Sequence, residues 1–299
     1  MSRGFPFFAF QNPEHRAYRV ATMATHLPSY AVYYLRLKQS RYGRTIPKGD
    51  PFFERKFVTP YLALSLTPRE RLSIQTHLFE TLDGRFRDGD FVDRLKAGVV
   101  LWWAATDAGE QTVTLRLPFR TMLEGDLLLE HALDGAVLYR FSFAFVPAGV
   151  VSPCETVVIG GSQGVYGTAC LTRAAAKGNG EISPAATLMI ALRAICQALG
   201  IPEIYGVCAD NQPVVHSQAD HNSGAYDALW AQHGGVPQNG FYAMDARLSD
   251  SAQSIDSGHK SRTRRKRRLK QTILAEIRAG FAPYVDRYIA PAYLPIAAE

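Results

Sequence analysis

Apolar residues in the first third of the chain recur at mixed intervals of three and four positions, which is the period of a helix buried on one side. This pattern predicts helices over residues 27–39 and 67–82. The second helix is preceded by Thr67 and carries Pro68 at its first position and Glu70 three residues after the cap. That spacing predicts a capping box, in which the cap and the glutamate bond each other's backbone N–H groups.

From about residue 97 the pattern changes to that of β-strands. Two apolar runs flank the turn residues DAGE (107–110) and indicate a hairpin. A second hairpin is predicted around Asp134-Gly135, because this dipeptide favours the tight turns that join antiparallel strands. The short apolar run TVVIGG (156–161) predicts a buried strand.

A helix–strand unit follows these hairpins. Ser183 is the predicted N-cap of a helix that ends at Gly200, where left-handed backbone geometry favours glycine. Residues 201–209 then predict a strand, residues 226–235 a short helix that closes with two glycines, and residues 240–244 a final strand.

The last predicted helix begins with the most highly charged segment of the chain and has Gly280 at its end. Eight of the twelve residues in HKSRTRRKRRLK (259–270) are Lys or Arg. Cations are unfavourable at the positive end of the helix dipole, and like charges four residues apart repel each other. The helix would therefore form more easily with an anion bound. The predicted phosphate-binding cations are Lys260, Arg262, Arg264, Arg265, Lys266, Arg267 and Arg268.

Composition shows that the basic charge is local. The chain of 299 residues has a net charge of +6, so the residues outside this run carry a net charge of −2. A local patch favours a specific anionic partner, although a solvated linker end has the same composition. Four cysteines without a CxxC pair indicate a reducing compartment. With no secretory signal and no apolar stretch of membrane-spanning length, we expect a cytoplasmic protein.

Several polar residues are candidates for a catalytic cleft. Gln163, in the glycine-rich stretch IGGSQG (159–164), is predicted to present its amide to the donor. His216 and Asp227 are candidate general bases near neutral pH, and Asn211 is a candidate positioning group. Because HSQADH (216–221) supplies no convincing third ligand, we assign no metal site.

Six blocks in one order resemble the VirK/YbjX family of bacterial proteins, over roughly residues 55–280. The resemblance implies a bacterial cytoplasmic protein associated with virulence, envelope stress and resistance to antimicrobial peptides, and it implies no particular reaction. The blocks are TPYLALSLTPRERLSIQTHLF, EGDLLLEHALDGAVLYRFSFAF, VIGGSQG, LGIPEIYGV, YDALWAQHGG and KSRTRRKRR.

The predicted order of hairpin, strand, helix, strand and short helix is also similar to the core of GNAT acyltransferases. This resemblance implies that the helix after Ser183 points its N-terminus at a pyrophosphate, because helix N-termini bind anions. It also implies a positioning role for Asn211, which follows the next strand. The chain departs from the family in lacking the Q/R-x-x-G-x-G/A loop and in carrying an insert between strand and helix.

These observations predict an α+β protein with a mainly helical N-terminal region (1–95), a GNAT-like mixed sheet flanked by helices (96–250) and a basic C-terminal helix and tail (251–299). The expected function is transfer of an acyl or aminoacyl group to a small-molecule amine or hydroxyl. No cofactor is certain, and the donor would be aminoacyl-tRNA or acyl-CoA. The alternative is a non-catalytic protein whose basic helix binds anionic lipid or an acidic partner. Plain nucleic-acid binding without catalysis lacks a recognisable motif.

Overall fold

A computed structural model describes residues 13–43, 45–46, 53–87, 91–118, 123–213, 223–247 and 260–286. The helices are α1 (Pro13–Thr25), α2 (Leu27–Gln39), α3 (Pro68–Arg85), α4 (Phe91–Ala97), α5 (Ala169–Gly178), α6 (Pro184–Leu199), α7 (Ser223–Gln232) and α8 (Lys260–Phe281). Short 3₁₀ helices cover Phe53–Val58, Ala209–Asn211 and Ala282–Tyr284. The strands are β1 (Val99–Thr106), β2 (Gly109–Arg116), β3 (Leu127–Leu133), β4 (Ala136–Val146), β5 (Thr156–Gly164), β6 (Glu203–Val207), β7 (Val236–Gln238) and β8 (Phe241–Asp245).

The local signals in the sequence produce the expected caps and turns. Thr67 and Glu70 form the predicted capping box at the start of α3. Ser183 accepts a hydrogen bond from Ala186 N at 3.2 Å at the start of α6, and Gly200 ends that helix with a φ of 71°. The insert before α6 differs from the prediction because it contains a further helix, α5, whose apolar spacing was not recognised.

The eight strands form one mixed sheet in the order β1-β2-β3-β4-β5-β6-β8-β7. The pair β5–β6 is parallel, and every other neighbouring pair is antiparallel. Helix α6 makes the crossover between β5 and β6, which a parallel connection requires. The α+β fold predicted from the sequence, with N-terminal helices followed by a mixed sheet and helices, is confirmed.

One large hydrophobic core joins the N-terminal helices to the sheet and to the C-terminal helix. Buried side chains of α2, α3, one sheet face, α6 and α8 all belong to it. Phe86, after α3, makes an edge contact with Phe281 at the end of α8 (ring centroids 5.9 Å apart). This core contains residues from all three predicted regions, on both sides of the limits at residues 95 and 251. The three-part division of the chain therefore stays a prediction.

Helix α8 differs from the prediction at Gly280, which lies inside the helix and does not end it. A Cβ atom at this position would lie 2.2 Å from the carbonyl oxygen of Leu101 in β1. The glycine is therefore needed for close packing of α8 on the sheet, and the helix continues to Phe281.

Candidate active site

The two parallel strands at the centre of the sheet separate at their C-terminal ends. Pairing between β5 and β6 stops at Ile159 and Gly206. The register of β5 with β4 then shifts by one residue, so that Gly160 forms a β-bulge, and β5 continues along β4 to Gly164. Bulges bend strands and often lie next to active sites. Since β6 ends at Val207, β5 extends beyond it, and we call the stretch of β5 from Gly160 to Gly164 that no longer pairs with β6 the strand gap.

A buried glutamate, Glu124, lies across the start of the strand gap. A Cβ atom on Gly160 would be 2.2 Å from Glu124 O, and one on Gly161 would be 2.1 Å from Glu124 Oε2. Any side chain at either glycine would displace Glu124. The stretch IGGSQG is therefore a strand with two glycines that admit a carboxylate, and not a tight turn after a strand.

Glu124 is held by the amide of Gln163. The Gln163 Nε2 atom donates to Glu124 Oε1 at 2.8 Å and to Oε2 at 3.0 Å. Only 2% of Glu124 is exposed. A buried carboxylate is costly unless it is hydrogen-bonded, so the predicted ligand-binding residue Gln163 here stabilises an acidic group.

The phenol of Tyr226, on α7, reaches the strand gap from the other side. Its hydroxyl accepts a hydrogen bond from Ser162 N at 3.4 Å. Burial and the nearby Glu124 raise the pKa of Tyr226. A hydrogen bond with Gln163 lowers it and so partly opposes this rise. The phenol therefore stays protonated at neutral pH.

A second tyrosine extends this group of polar residues. The hydroxyl of Tyr139, on β4, lies 3.1 Å from Ser162 Oγ. Burial raises the pKa of Tyr139, and the hydrogen bond to Ser162 opposes that rise. A connected polar network thus links Glu124, Gln163, Tyr226, Ser162 and Tyr139, and we call it the gap network.

A rigid surrounding structure supports Glu124. Lys56 and Asp126 form a buried ion pair at 3.1 Å, and Tyr61 OH donates to Asp126 Oδ2 at 2.5 Å. Leu62, which contacts the Gly160 position, has a φ of 63° and donates its N–H to Leu123 O at 2.7 Å. A left-handed leucine costs free energy and persists only where its surroundings impose it.

The predicted polar residues around β6 have structural partners. Asn211 accepts from Ser65 N at 2.8 Å and donates to Ser65 Oγ at 3.0 Å and Gly240 O at 3.1 Å. Asp227 Oδ1 accepts from Ala209 N at 3.0 Å. Both side chains thereby hold the chain that follows β6. His216 lies outside the described residues.

The basic part of α8 lies beside the N-terminus of α6. Lys266 Nζ donates to Glu181 O at 2.7 Å, two residues before the cap Ser183. Arg264, Arg265 and Arg268 are exposed, whereas Arg267 is half-buried. Lys260 and Arg262 belong to the helix, but their side chains lie outside the described residues.

Sequence reasoning missed the centre of this site. Glu124, Tyr226 and Tyr139 come from three separate elements, and only the fold brings them together. The signal for Glu124 was present as the pair Gly160-Gly161, because adjacent glycines inside a strand indicate close approach of another group.

Three further features concern the described part of the chain. All four cysteines are free thiols. No group of three or more His, Cys, Asp or Glu residues there is placed to hold a metal ion. None of the described helices combines the length and apolar character needed to cross a bilayer.

Comparison with known proteins gives a family match and several similar solved chains. The model of the family described as "Protein of unknown function (DUF535)" matches residues 11–279. Two mutant forms of the cAMP-binding acyltransferase from Mycobacterium smegmatis are similar at 12% identity with a TM-score of 0.29, covering 62% of this chain and 58% and 60% of theirs. The chain thus spans about three fifths of the length of those solved chains. No curated protein matched the sequence.

Proposed function

This chain belongs to the DUF535 family, for which VirK/YbjX is the known name, and we propose that it is a GNAT-like transferase. It moves an acyl or aminoacyl group from a phosphate-bearing donor to an amine or hydroxyl acceptor. The reaction takes place in the strand gap.

The observation that carries this proposal is the placement of Tyr226 and Glu124 within one network. Tyr226 is a protonated phenol at the backbone N–H of Ser162. Glu124 is a buried carboxylate joined to it through Gln163. A proton donor and a proton acceptor held in one network are the two groups that general acid–base catalysis requires.

The roles follow from the chemistry of acyl transfer. The acceptor gives its proton to Glu124 and attacks the acyl carbonyl carbon. The bond from that carbon to the donor's sulfur or oxygen breaks, and Tyr226 protonates the leaving atom. Both groups return to their starting states when, after product release, Glu124 gives its proton to solvent and the Tyr226 phenolate takes one up.

We assign the donor's phosphates to the surface formed by the N-terminus of α6 and the basic part of α8. The N-terminal N–H groups of α6, after the cap Ser183, favour an anion. The exposed guanidinium groups of Arg264, Arg265 and Arg268 extend this positive surface. Together they suit coenzyme A or, over a larger contact, the backbone of tRNA.

The test is an assay of acyl transfer from a panel of acyl-CoA donors to amines and alcohols. The free thiol of coenzyme A that the reaction releases is measured. We expect Tyr226→Phe and Glu124→Gln each to lower kcat by roughly 10²-fold while donor binding is kept. Tyr166→Phe is the matched control, because Tyr166 is fully exposed. Full activity in both site variants would eliminate the assignment. His216→Ala and Asp227→Asn test the acid–base roles predicted from the sequence in the same assay.

The donor class is tested separately, by absorbance at 260 nm of protein purified at low salt and by transfer assays with charged tRNA. If tRNA is the donor, its affinity should fall steeply with salt and with Arg264, Arg265 and Arg268 all changed to Ala. Binding of coenzyme A without bound RNA would select the acyl-CoA donor. Inactivity with both donors, together with binding of an acidic partner through α8, would favour the non-catalytic alternative.

A further inference from the structure

The N-terminal helices expose an apolar stripe that the fold does not use. Among the described residues, half of the large exposed hydrophobic side chains belong to α1 and α2. They are Val20, Met23, Leu27, Val32, Tyr34 and Leu35. Val20 is 62% exposed, Leu27 61% and Leu35 58%. Such grouping on a small part of the surface marks an interaction site.

Backbone hydrogen bonds make the stripe continuous across the junction of the two helices. His26 N donates to Thr22 O at 3.1 Å, and Tyr30 N donates to His26 O at 2.9 Å, as within a helix. At about 100° per residue, Val20, Met23, Leu27 and Leu35 then lie within about 60° of one line along the helix. From Val20 to Leu35 the helix rises fifteen times by 1.5 Å, so the stripe is about 22 Å long.

The opposite face of α2 already packs on the core. Tyr33 and Leu37 are buried, and the ring of Tyr30 lies 5.4 Å from that of Phe57. The exposed stripe therefore cannot turn inwards without removing these side chains from the core. The stripe is therefore available to a partner.

Charge indicates the chemistry of that partner. Residues 15–46 contain six Lys or Arg and no Asp or Glu. Lys38 lies one turn beyond the stripe, with its ammonium 4.8 Å from the centre of the Tyr34 ring. Two further cations, Arg36 and Arg41, form ion pairs with Glu80 at 4.0 Å and with Asp83 at 3.7 Å on α3, so they add little net charge to this surface.

From these observations we propose that α1 and α2 lie on the surface of an anionic lipid bilayer. Interfacial helices combine an apolar stripe with cations and bind by apolar burial and attraction to anionic headgroups. A second copy of the chain fits less well, because a symmetric contact through α2 would place its cations opposite one another. The surface is separate from the strand gap and from the basic part of α8.

The experiment is flotation of the full chain with vesicles of phosphatidylethanolamine and phosphatidylglycerol, compared with phosphatidylcholine alone. We expect the wild type to float with the anionic vesicles and much less with the neutral ones. Leu27→Glu combined with Leu35→Glu should lower the bound fraction about tenfold or more, because each places a charge in the interface. Both positions are exposed, so the melting temperature should be unchanged.

Matched variants separate this contact from others. Val236→Glu with Leu171→Glu changes two exposed apolar residues elsewhere and should still float. The proposal is overturned if the wild type does not float, or floats equally with neutral vesicles. It is also overturned if the stripe variant, Leu27→Glu with Leu35→Glu, floats normally while a variant with Arg264, Arg265 and Arg268 all changed to Ala does not float. A dimer in solution that the stripe variant converts to a monomer would show that a second copy covers the stripe.

Discussion

Replacing Gly280 by Ala should destabilise the protein, although the same change in a helix ordinarily stabilises it. Gly280 lies near the end of α8, where the helix meets the backbone of β1. A new methyl group would be 2.2 Å from Leu101 O, whereas ordinary contacts begin near 3.4 Å. Because the neighbouring atom belongs to a strand backbone, either the helix or the strand must move.

The size of the effect follows from two opposing contributions. Forcing one methyl group into a packed contact typically lowers the free energy of unfolding by about 1–3 kcal/mol. At Gly280 the cost should be near the upper end, about 3 kcal/mol, because the neighbouring atom belongs to the backbone. The gain in helix propensity from Gly to Ala is about 1 kcal/mol. The free energy of unfolding should therefore fall by about 2 kcal/mol.

Gly84 of α3 provides the matched control. It is exposed, and a Cβ atom there would meet no other atom within 4 Å. Gly84→Ala should therefore raise the free energy of unfolding by about 0.5–1 kcal/mol. Urea unfolding followed by circular dichroism measures both variants. Stabilisation by Gly280→Ala, equal to that of Gly84→Ala, would refute the close packing of α8 on β1.

Two further predictions concern buried charge. Burial lowers the pKa of His131 to about 4, and both ring nitrogens lack a hydrogen-bond partner among the described residues. The folded state therefore loses stability as the pH falls from about 6.5 to 4, by about 3 kcal/mol for this residue. Urea unfolding across that pH range should show that His131→Leu loses less free energy of unfolding than the wild type. Some loss should remain, because burial lowers the pKa of His233 to about 4 as well. Lys56→Met leaves Asp126 buried without its cation and should cost about 3–5 kcal/mol in thermal or urea unfolding; unchanged stability would show that the pair is not buried.

Much of the fold could be predicted from the sequence because its signals are local. The capping box at Thr67, the turn at Asp134-Gly135 and the glycine after α6 each act within a few residues. Gly280 shows the limit of this reasoning. A glycine near the end of a helical pattern usually indicates a helix end, and only the position of β1 shows that it makes room for a strand.

The candidate site was less predictable because its residues are distant in sequence. Gln163 was recognised as a polar candidate, but its partner Glu124 lies 39 positions away and Tyr226 belongs to another element. Asn211 was proposed from its place after a strand. Its bonds to Ser65 and Gly240 depend on a contact with the N-terminal part of the chain, which no local pattern reveals.

The bulge at Gly160 has a consequence for how this protein can change. This one-residue irregularity lies in the pairing of β5 with β4, at the point where β5 stops pairing with β6. Deleting that residue would let β5 pair with β4 without interruption and would remove one of the two glycines that make room for Glu124 in the cleft. Selection for thermal robustness alone would thus tend to straighten the strand and close the cleft, which sets stability and activity against each other at a single position.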